Sequence, residues 1–143
     1  MPVIRTASEE ETIALGERLA AILPPGATVL LIGNLGAGKT TLAKGIAKGL
    51  SAAEPEQVSS PTFTLIHEYG SPPAVYHVDL YRLETAREVA SLGLDELFDS
   101  PAIVLIEWGE RFPALMPPDH IEIRLRALAG DLREITADLE NLS

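Results

Sequence analysis

The sequence predicts an α/β fold, a three-layer sandwich around a mixed, mainly parallel central sheet with an antiparallel hairpin at an edge. Three observations carry this. A short run rich in β-branched residues, Thr28-Val29-Leu30-Leu31-Ile32, leads into a glycine-rich loop, and a helical pattern with Leu42, Ile46 and Leu50 four apart follows. A second apolar run, Pro101-Ala102-Ile103-Val104-Leu105-Ile106, reads as another central parallel strand. Between them, Phe63 to Tyr69 and Ala74 to Asp79 alternate with a strand period across the turn Gly70-Ser71-Pro72-Pro73, too short a connection for parallel strands.

Taken in order, Ser8-Glu9-Glu10-Glu11 is a capping box that opens a helix running to about Ile22, with Ile13, Gly16, Leu19, Ala20 and Leu23 near one face. Pro24-Pro25-Gly26 stops it. The loop strand, the loop and its helix follow, and Ser51 to Gln57 is a polar connection. After the hairpin, a helix is expected around Ala86 to Leu92, ended by Gly93, with one more helical turn over Leu94 to Phe98. The second apolar strand ends on Glu107-Trp108-Gly109-Glu110, and Pro113, Pro117 and Pro118 break up the next stretch of chain. Ile121, Ile123 and Leu125 alternate with Glu122, Arg124 and Arg126, and Arg133 to Leu139 alternates again after Ala129-Gly130-Asp131. That pattern predicts a C-terminal antiparallel hairpin at a sheet edge.

The glycine loop fits G-x-x-x-x-G-K-[ST] as Gly33-Asn34-Leu35-Gly36-Ala37-Gly38-Lys39-Thr40, a phosphate-binding loop in the strand–loop–helix order such loops require. The expected architecture is therefore P-loop NTPase-like. Gly33, Gly36 and Gly38 allow positive φ and close approach of backbone N–H groups to phosphate oxygens. The helix beginning at Lys39 and continuing through Thr41 turns its positive end to the same phosphates. Lys39 brings a cation to the β- and γ-phosphates, and the Thr40 hydroxyl can ligate Mg²⁺.

Composition bounds the rest. The 143 residues suffice for one domain, 1–143, with a core, and 46% apolar residues argue for a globular chain. No run approaches the length of a membrane-spanning helix, and Met1 to Thr6 lack an apolar signal core, so a cytoplasmic protein is expected. There is no cysteine, which excludes disulfides, thiol catalysis and cysteine metal sites. A net charge of −10 argues against independent grip on a nucleic-acid backbone; a partner would hold any polynucleotide.

A phosphate loop needs an acid beyond the carboxyl end of a neighbouring parallel strand. Glu107 follows the stronger apolar strand and is the first choice for Mg²⁺; Asp79 is the second, with the remaining acid orienting water. Ser60-Pro61-Thr62 is either a switch offering hydroxyls to a γ-phosphate or a plain Ser-Pro turn. Trp108, the single tryptophan, is a base-stacking surface, an interface anchor or a core residue. Arg82 reaches phosphate or forms a surface ion pair. His77 and Asp79 share a strand face, as a zinc pair would, but no third soft ligand is visible. His67 and His120 read as satisfied or exposed histidines.

Four segments in this order and spacing, Gly-Asn-Leu-Gly-Ala-Gly-Lys-Thr-Thr (33–41), Ser-Pro-Thr-Phe-Thr-Leu (60–65), His-Val-Asp-Leu-Tyr-Arg-Leu (77–83) and Ile-Glu-Trp (106–108), resemble the TsaE (YjeE) family over nearly the whole chain. The phosphate loop is shared by many families; the other three together are far more specific. The resemblance implies an ATP- and Mg²⁺-binding protein that hydrolyses ATP weakly alone. It also implies association with TsaD and TsaB, which modify the adenosine next to the anticodon of ANN-decoding tRNAs. On that resemblance Lys39 meets the phosphates, Thr40 and Glu107 hold Mg²⁺, and Asp79 is the Walker B-like acid. Ser60 to Thr62 and Glu107 to Trp108 would be the two switches, with the base near Thr6 and Glu9. The family usually carries Asp where this chain has Asn34, which removes a charge at the loop mouth and leaves backbone phosphate contacts intact.

Other readings of a P-loop are a small-molecule or nucleotide kinase, a GTPase and a non-catalytic nucleotide-gated module. With only 11 Lys and Arg and no arginine-rich insertion, a kinase lid is not visible, and no Asn-Lys-x-Asp guanine motif occurs. The non-catalytic module would use the same residues as the ATPase.

Overall fold

The computed structural model describes residues 3–61 and 64–139. Its elements are β1 (Val3–Thr6), α1 (Glu9–Ile22), β2 (Thr28–Ile32), α2 (Lys39–Gly49), β3 (Ile66–Tyr69), β4 (Val75–Asp79), α3 (Ala86–Ala90), α4 (Leu94–Phe98), β5 (Ile103–Glu107), β6 (Ile121–Ala127) and β7 (Arg133–Ala137). One seven-stranded sheet takes the order β1-β7-β6-β2-β5-β4-β3. The four central strands, β6, β2, β5 and β4, are mutually parallel. The outer pairings, β1 with β7, β7 with β6, and β3 with β4, are antiparallel.

The parallel centre follows from the two apolar runs. β5 is buried along its whole length and β2 at every residue but Ile32, as expected of strands covered on both faces. Alternate residues divide between the faces. Val29 and Leu31 join Leu105, Ile123 and Ile135 under α1 and α2, where Leu15, Leu19, Leu42 and Ile46 complete the larger core. Leu30, Val104, Ile106 and Val78 point the other way, toward Val89 of α3, Leu94 of α4, Phe112 and Met116. Ile46 is fully buried, which stabilises the fold by roughly 1.5–3 kcal/mol relative to exposure. The helix α1 begins as its sequence indicates: Ser8 Oγ accepts from the Glu11 N–H at 3.1 Å. The reciprocal contact goes one residue further back, with the Ala7 N–H donating to Glu11 Oε1 at 2.9 Å.

At Gly16 and Gly45 the helices α1 and α2 approach so closely that no side chain fits between them. A Cβ on Gly16 would lie 2.6 Å from the Leu42 carbonyl oxygen, and one on Gly45 would overlap the Ile13 carbonyl. This seats α2, and with it the loop at its start, against the sheet.

Three expectations are corrected. The N-terminal segment is a strand, β1, held by antiparallel pairing of Ile4 with Ile135. It covers the outer side of the C-terminal hairpin, which therefore lies one strand inside the edge; the edge hairpin is β3–β4. Strand β3 starts at Ile66 and not at Phe63, because Leu65 has φ 69° and turns its carbonyl to the Asp79 N–H at 2.9 Å. Phe63 itself lies outside the described residues. Finally, Gly33 serves close approach rather than positive φ: a Cβ there would sit 2.5 Å from the Leu125 carbonyl oxygen of β6.

Candidate functional site

The loop leaves the carboxyl end of β2 and enters α2 through Gly38 at φ 104°, a conformation that a side chain would strain. No side chain caps α2, so the N–H groups of its first turn face the loop without a capping oxygen. The neighbouring strands end beside it. Parallel register sets Asp79 of β4 opposite Glu107 of β5, and Glu107 opposite Leu31 of β2. Both carboxylates thus come to the same level as the loop, at the crevice beyond the strand ends.

A cavity of about 490 Å³ occupies that crevice. Its lining includes Leu35, Gly36, Gly38, Lys39, Thr40 and Thr41 from the loop and α2, together with Ser60, Asp79, Glu107 and Trp108. Glu9 contributes from the start of α1. Thr6 stands behind this wall, its hydroxyl 2.7 Å from that of Thr12, which does line the cavity. Ala37 is buried in the core, and its N–H closes the loop turn on the Asn34 carbonyl at 3.1 Å. Gly33 and Asn34 line a second cavity of about 320 Å³ on the other side of the loop, beside Arg124 and Arg126. Thr62 lies outside the described residues.

Three charged groups inside the main cavity are almost fully buried: Lys39, Asp79 and Glu107 are 4%, 3% and 4% exposed. Lys39 Nζ donates to the Gly33 carbonyl at 2.7 Å and stands 3.7 Å from the centre of the Trp108 ring. Burial pulls its ammonium below the ordinary lysine value, while the carboxylates of Glu107, Glu110 and Asp79 act to raise it. The Thr40 hydroxyl donates to Glu107 Oε2 at 3.3 Å, and His77 Nε2 lies 2.6 Å from the same oxygen. Asp79 accepts from the Tyr81 N–H at 2.9 Å and from the Ser60 hydroxyl at 3.1 Å. That second bond ties the Ser60-Pro61 segment to the acid at the end of β4.

Trp108 adopts φ 68°, an uncommon conformation for a bulky side chain that costs on the order of 1–3 kcal/mol. The turn swings its indole over Lys39, with the Tyr81 ring packed on it at 5.2 Å between centroids. Trp108 is therefore neither a plain core residue nor an isolated surface one.

Chemically, the arrangement can do two things. Loop N–H groups, the open start of α2 and Lys39 form an anion cradle. Thr40 and Glu107 offer hard oxygen donors to a divalent cation that keeps waters and takes further ligands from phosphate, as Mg²⁺ does. Among the described residues no cluster of three His, Asp or Glu could hold a metal ion by itself. His77 Nε2 is engaged with Glu107, and His77 and Asp79 belong to no three-residue ligand cluster among the described residues. His67 bonds the Tyr69 hydroxyl, and His120 bonds the Pro117 carbonyl and Glu122.

Sequence reading misses several cavity residues. Ser8 and Thr12 arrive with α1, and Asp131 and Arg133 with the turn into β7. The Arg133 guanidinium stands close to the loop, its Nε 3.7 Å from where a Gly38 Cβ would be. No local pattern announces these residues, because the sheet order brings them in. Tyr81 sits inside the 77–83 segment, two residues beyond Asp79, and that proximity is its only signal.

Comparison with known proteins gives the chain a family. The profile of the family described as "Threonylcarbamoyl adenosine biosynthesis protein TsaE" matches residues 6–135. A Bacillus subtilis protein named tRNA threonylcarbamoyladenosine biosynthesis protein TsaE is 43% identical over 134 residues, covering 92% of this chain and 82% of its own. Its namesake from Nostoc is 49% identical over 131 residues, covering 87% and 78%, and that from Treponema pallidum 39% over 129 residues, covering 90% and 94%. The crystal structure of Bacillus subtilis YdiB superposes with a TM-score of 0.75 at 36% identity, over 95% of this chain and 83% of that one. From the loop, the acids at the strand ends and these likenesses together, the chain belongs to the TsaE family.

Proposed function

We propose that this chain binds ATP with Mg²⁺ in the cavity beyond β2, β4 and β5 and hydrolyses the nucleotide in support of tRNA threonylcarbamoyladenosine biosynthesis. The observation that carries the reading is the convergence of Lys39, Thr40, Asp79 and Glu107 on one cavity at the start of α2. The biosynthetic role follows from the names its relatives bear.

Lys39 exchanges the Gly33 carbonyl for phosphate oxygens, and its charge is compensated by the surrounding carboxylates until then. Thr40 and Glu107 would hold Mg²⁺, which when bound neutralises charge on the β- and γ-phosphates. Asp79, fixed by Ser60 and the Tyr81 N–H, orients a water for attack. Loss of the γ-phosphate is felt at Ser60, so the 60–62 segment serves as a switch. The ribose and base extend toward Glu9 and Arg133, which line the same cavity.

Hydrolysis is weak in the isolated chain and rises with TsaD and TsaB, which hold the tRNA in the cytoplasm. Acidic overall charge agrees with leaving RNA contacts to partners. No helix among the described residues is long and apolar enough to cross a membrane. The test is ATP turnover with and without TsaD and TsaB, using Lys39→Ala as the control. Turnover that rises with partners and vanishes in the variant supports the reading; no turnover in either condition sinks it.

A further inference from the structure

His77 is the one histidine with no exposure at all, set on β4 between Val75 and Asp79 on the face that α2 covers. A histidine at such a place can be simple filling. Three details say otherwise. Its Nε2 lies 2.6 Å from Glu107 Oε2, a short contact between groups 0% and 5% exposed. The same Oε2 also takes the Thr40 hydroxyl, so two donors converge on one carboxylate oxygen. The ring's other nitrogen, Nδ1, is buried with no hydrogen-bond partner among the described residues. A proton on Nδ1 would bury an unpaired donor, which is costly. The tautomer that fits carries its proton on Nε2 and donates it to Glu107.

We infer that His77 is a positioning residue: it fixes the rotamer of the Glu107 carboxylate, so that the carboxylate meets a divalent cation already oriented beside Thr40. This inference rests on the reading of Thr40 and Glu107 as the metal-holding pair. The physical basis is that a hydrogen-bonded carboxylate gives up less freedom on binding a cation than a loose one. Neither Val75 nor Leu105, the apolar neighbours in the same core cluster, can restrain it in this way. Loss of such a supporting contact typically lowers metal affinity about 10–100-fold.

The experiment measures ATP affinity by calorimetry in Mg²⁺ and in EDTA, with Mg²⁺ titrated at fixed ATP. Wild type is compared with His77→Phe, His77→Gln and His77→Asn. Phe keeps the ring volume without the donor. Gln carries an N–H at about the reach of Nε2, and Asn carries one only at the reach of Nδ1. The expected result is a Mg²⁺ half-saturation raised at least about tenfold in His77→Phe and His77→Asn, and largely restored in His77→Gln, with affinity in EDTA the same for all. A core-filling role alone would lower melting temperature and leave the Mg²⁺ response where it is; that outcome overturns the inference. If the Phe variant does not fold, the Gln and Asn variants decide it: a half-saturation in His77→Gln equal to or higher than that in His77→Asn overturns it, and a lower one supports it. Should wild type gain nothing from Mg²⁺, the metal-pair reading itself fails, a result distinct from any difference among variants.

Discussion

Lys39 and Trp108 form a cation–π pair at 3.7 Å, with the same ammonium bonded to the Gly33 carbonyl. The pair holds the loop's only lysine inside its own loop. A desolvated contact of this kind is worth about 2 kcal/mol, enough to set where the ammonium rests but not enough to hold it against a triphosphate. ATP binding should draw Lys39 off the indole. Because Trp108 is the single tryptophan, its emission reports that event directly. Titration with Mg²⁺ and ATP is expected to change the emission saturably, and Lys39→Met to alter the unliganded spectrum and abolish the response. An emission that stays constant through calorimetric saturation would show that the two groups do not separate.

Asp79 presents a different prediction, because its two oxygens are already committed to Ser60 and the Tyr81 N–H. Asp79→Asn keeps the shape and removes the charge. ATP affinity should stay within a few fold, since on the proposed reading the loop and Lys39 carry binding. Turnover with TsaD and TsaB should fall by about 10²-fold or more, the order of loss expected when the carboxylate that orients the attacking water loses its charge. Parental turnover in this variant would remove Asp79 from the chemistry.

How much of this could be read from the chain depends on what local pattern encodes. β2 and β5 declare themselves because burial on both faces demands unbroken apolar runs. Lys39 and Thr40 follow from the glycine-loop motif at the start of α2, and Asp79 and Glu107 because each ends a parallel strand. β1 does not declare itself: four residues cannot show a period, and its extended form comes from pairing with β7. Leu65 fits the alternation on paper yet turns out of it, because its carbonyl is required by Asp79. Arg133 and Asp131 reach the cavity only through the order in which β7, β6 and β2 lie, which is a property of the whole sheet. Trp108 over Lys39 depends on a left-handed backbone at a non-glycine residue, which sequence does not signal.

The packing of α1 on α2 yields a stability prediction independent of the site's chemistry. Gly45→Ala would drive a Cβ into the Ile13 carbonyl, a backbone atom that cannot swing aside. The helices must separate, exposing Leu15, Leu42 and Ile46 to poorer packing. The expected loss is about 3 kcal/mol, at the upper end of ordinary overpacking. Gly93→Ala is the comparison: it has open space but φ 72°, so its cost is backbone strain of about 1 kcal/mol. Urea unfolding of both variants gives the ranking, and a Gly45→Ala cost no greater than that of Gly93→Ala would contradict the close helix contact.

The pair of His120 and Glu122, remote from the cavity, sets a pH dependence with a definite sign. Burial alone would lower His120, but hydrogen bonds to Glu122 and the Pro117 carbonyl, with the charges of Glu122 and Asp119, raise it above its ordinary 6.5. The hydrogen bond from His120, aided by Arg124, brings Glu122 below its ordinary 4.5 against its own desolvation. A raised histidine stabilises the fold fully below 6.5 and loses that contribution as pH climbs through its folded value. A lowered glutamate stabilises above 4.5 and loses its contribution as pH falls through its folded value. Both contributions coexist between those ordinary values. Replacing His120 with Asn should therefore cost most near pH 5.5, up to about 1 kcal/mol for a partly exposed pair, and progressively less toward pH 9. Chemical unfolding of wild type and variant at stepped pH reads this difference, and a gap that widens with rising pH would reverse the assignment of the proton to His120.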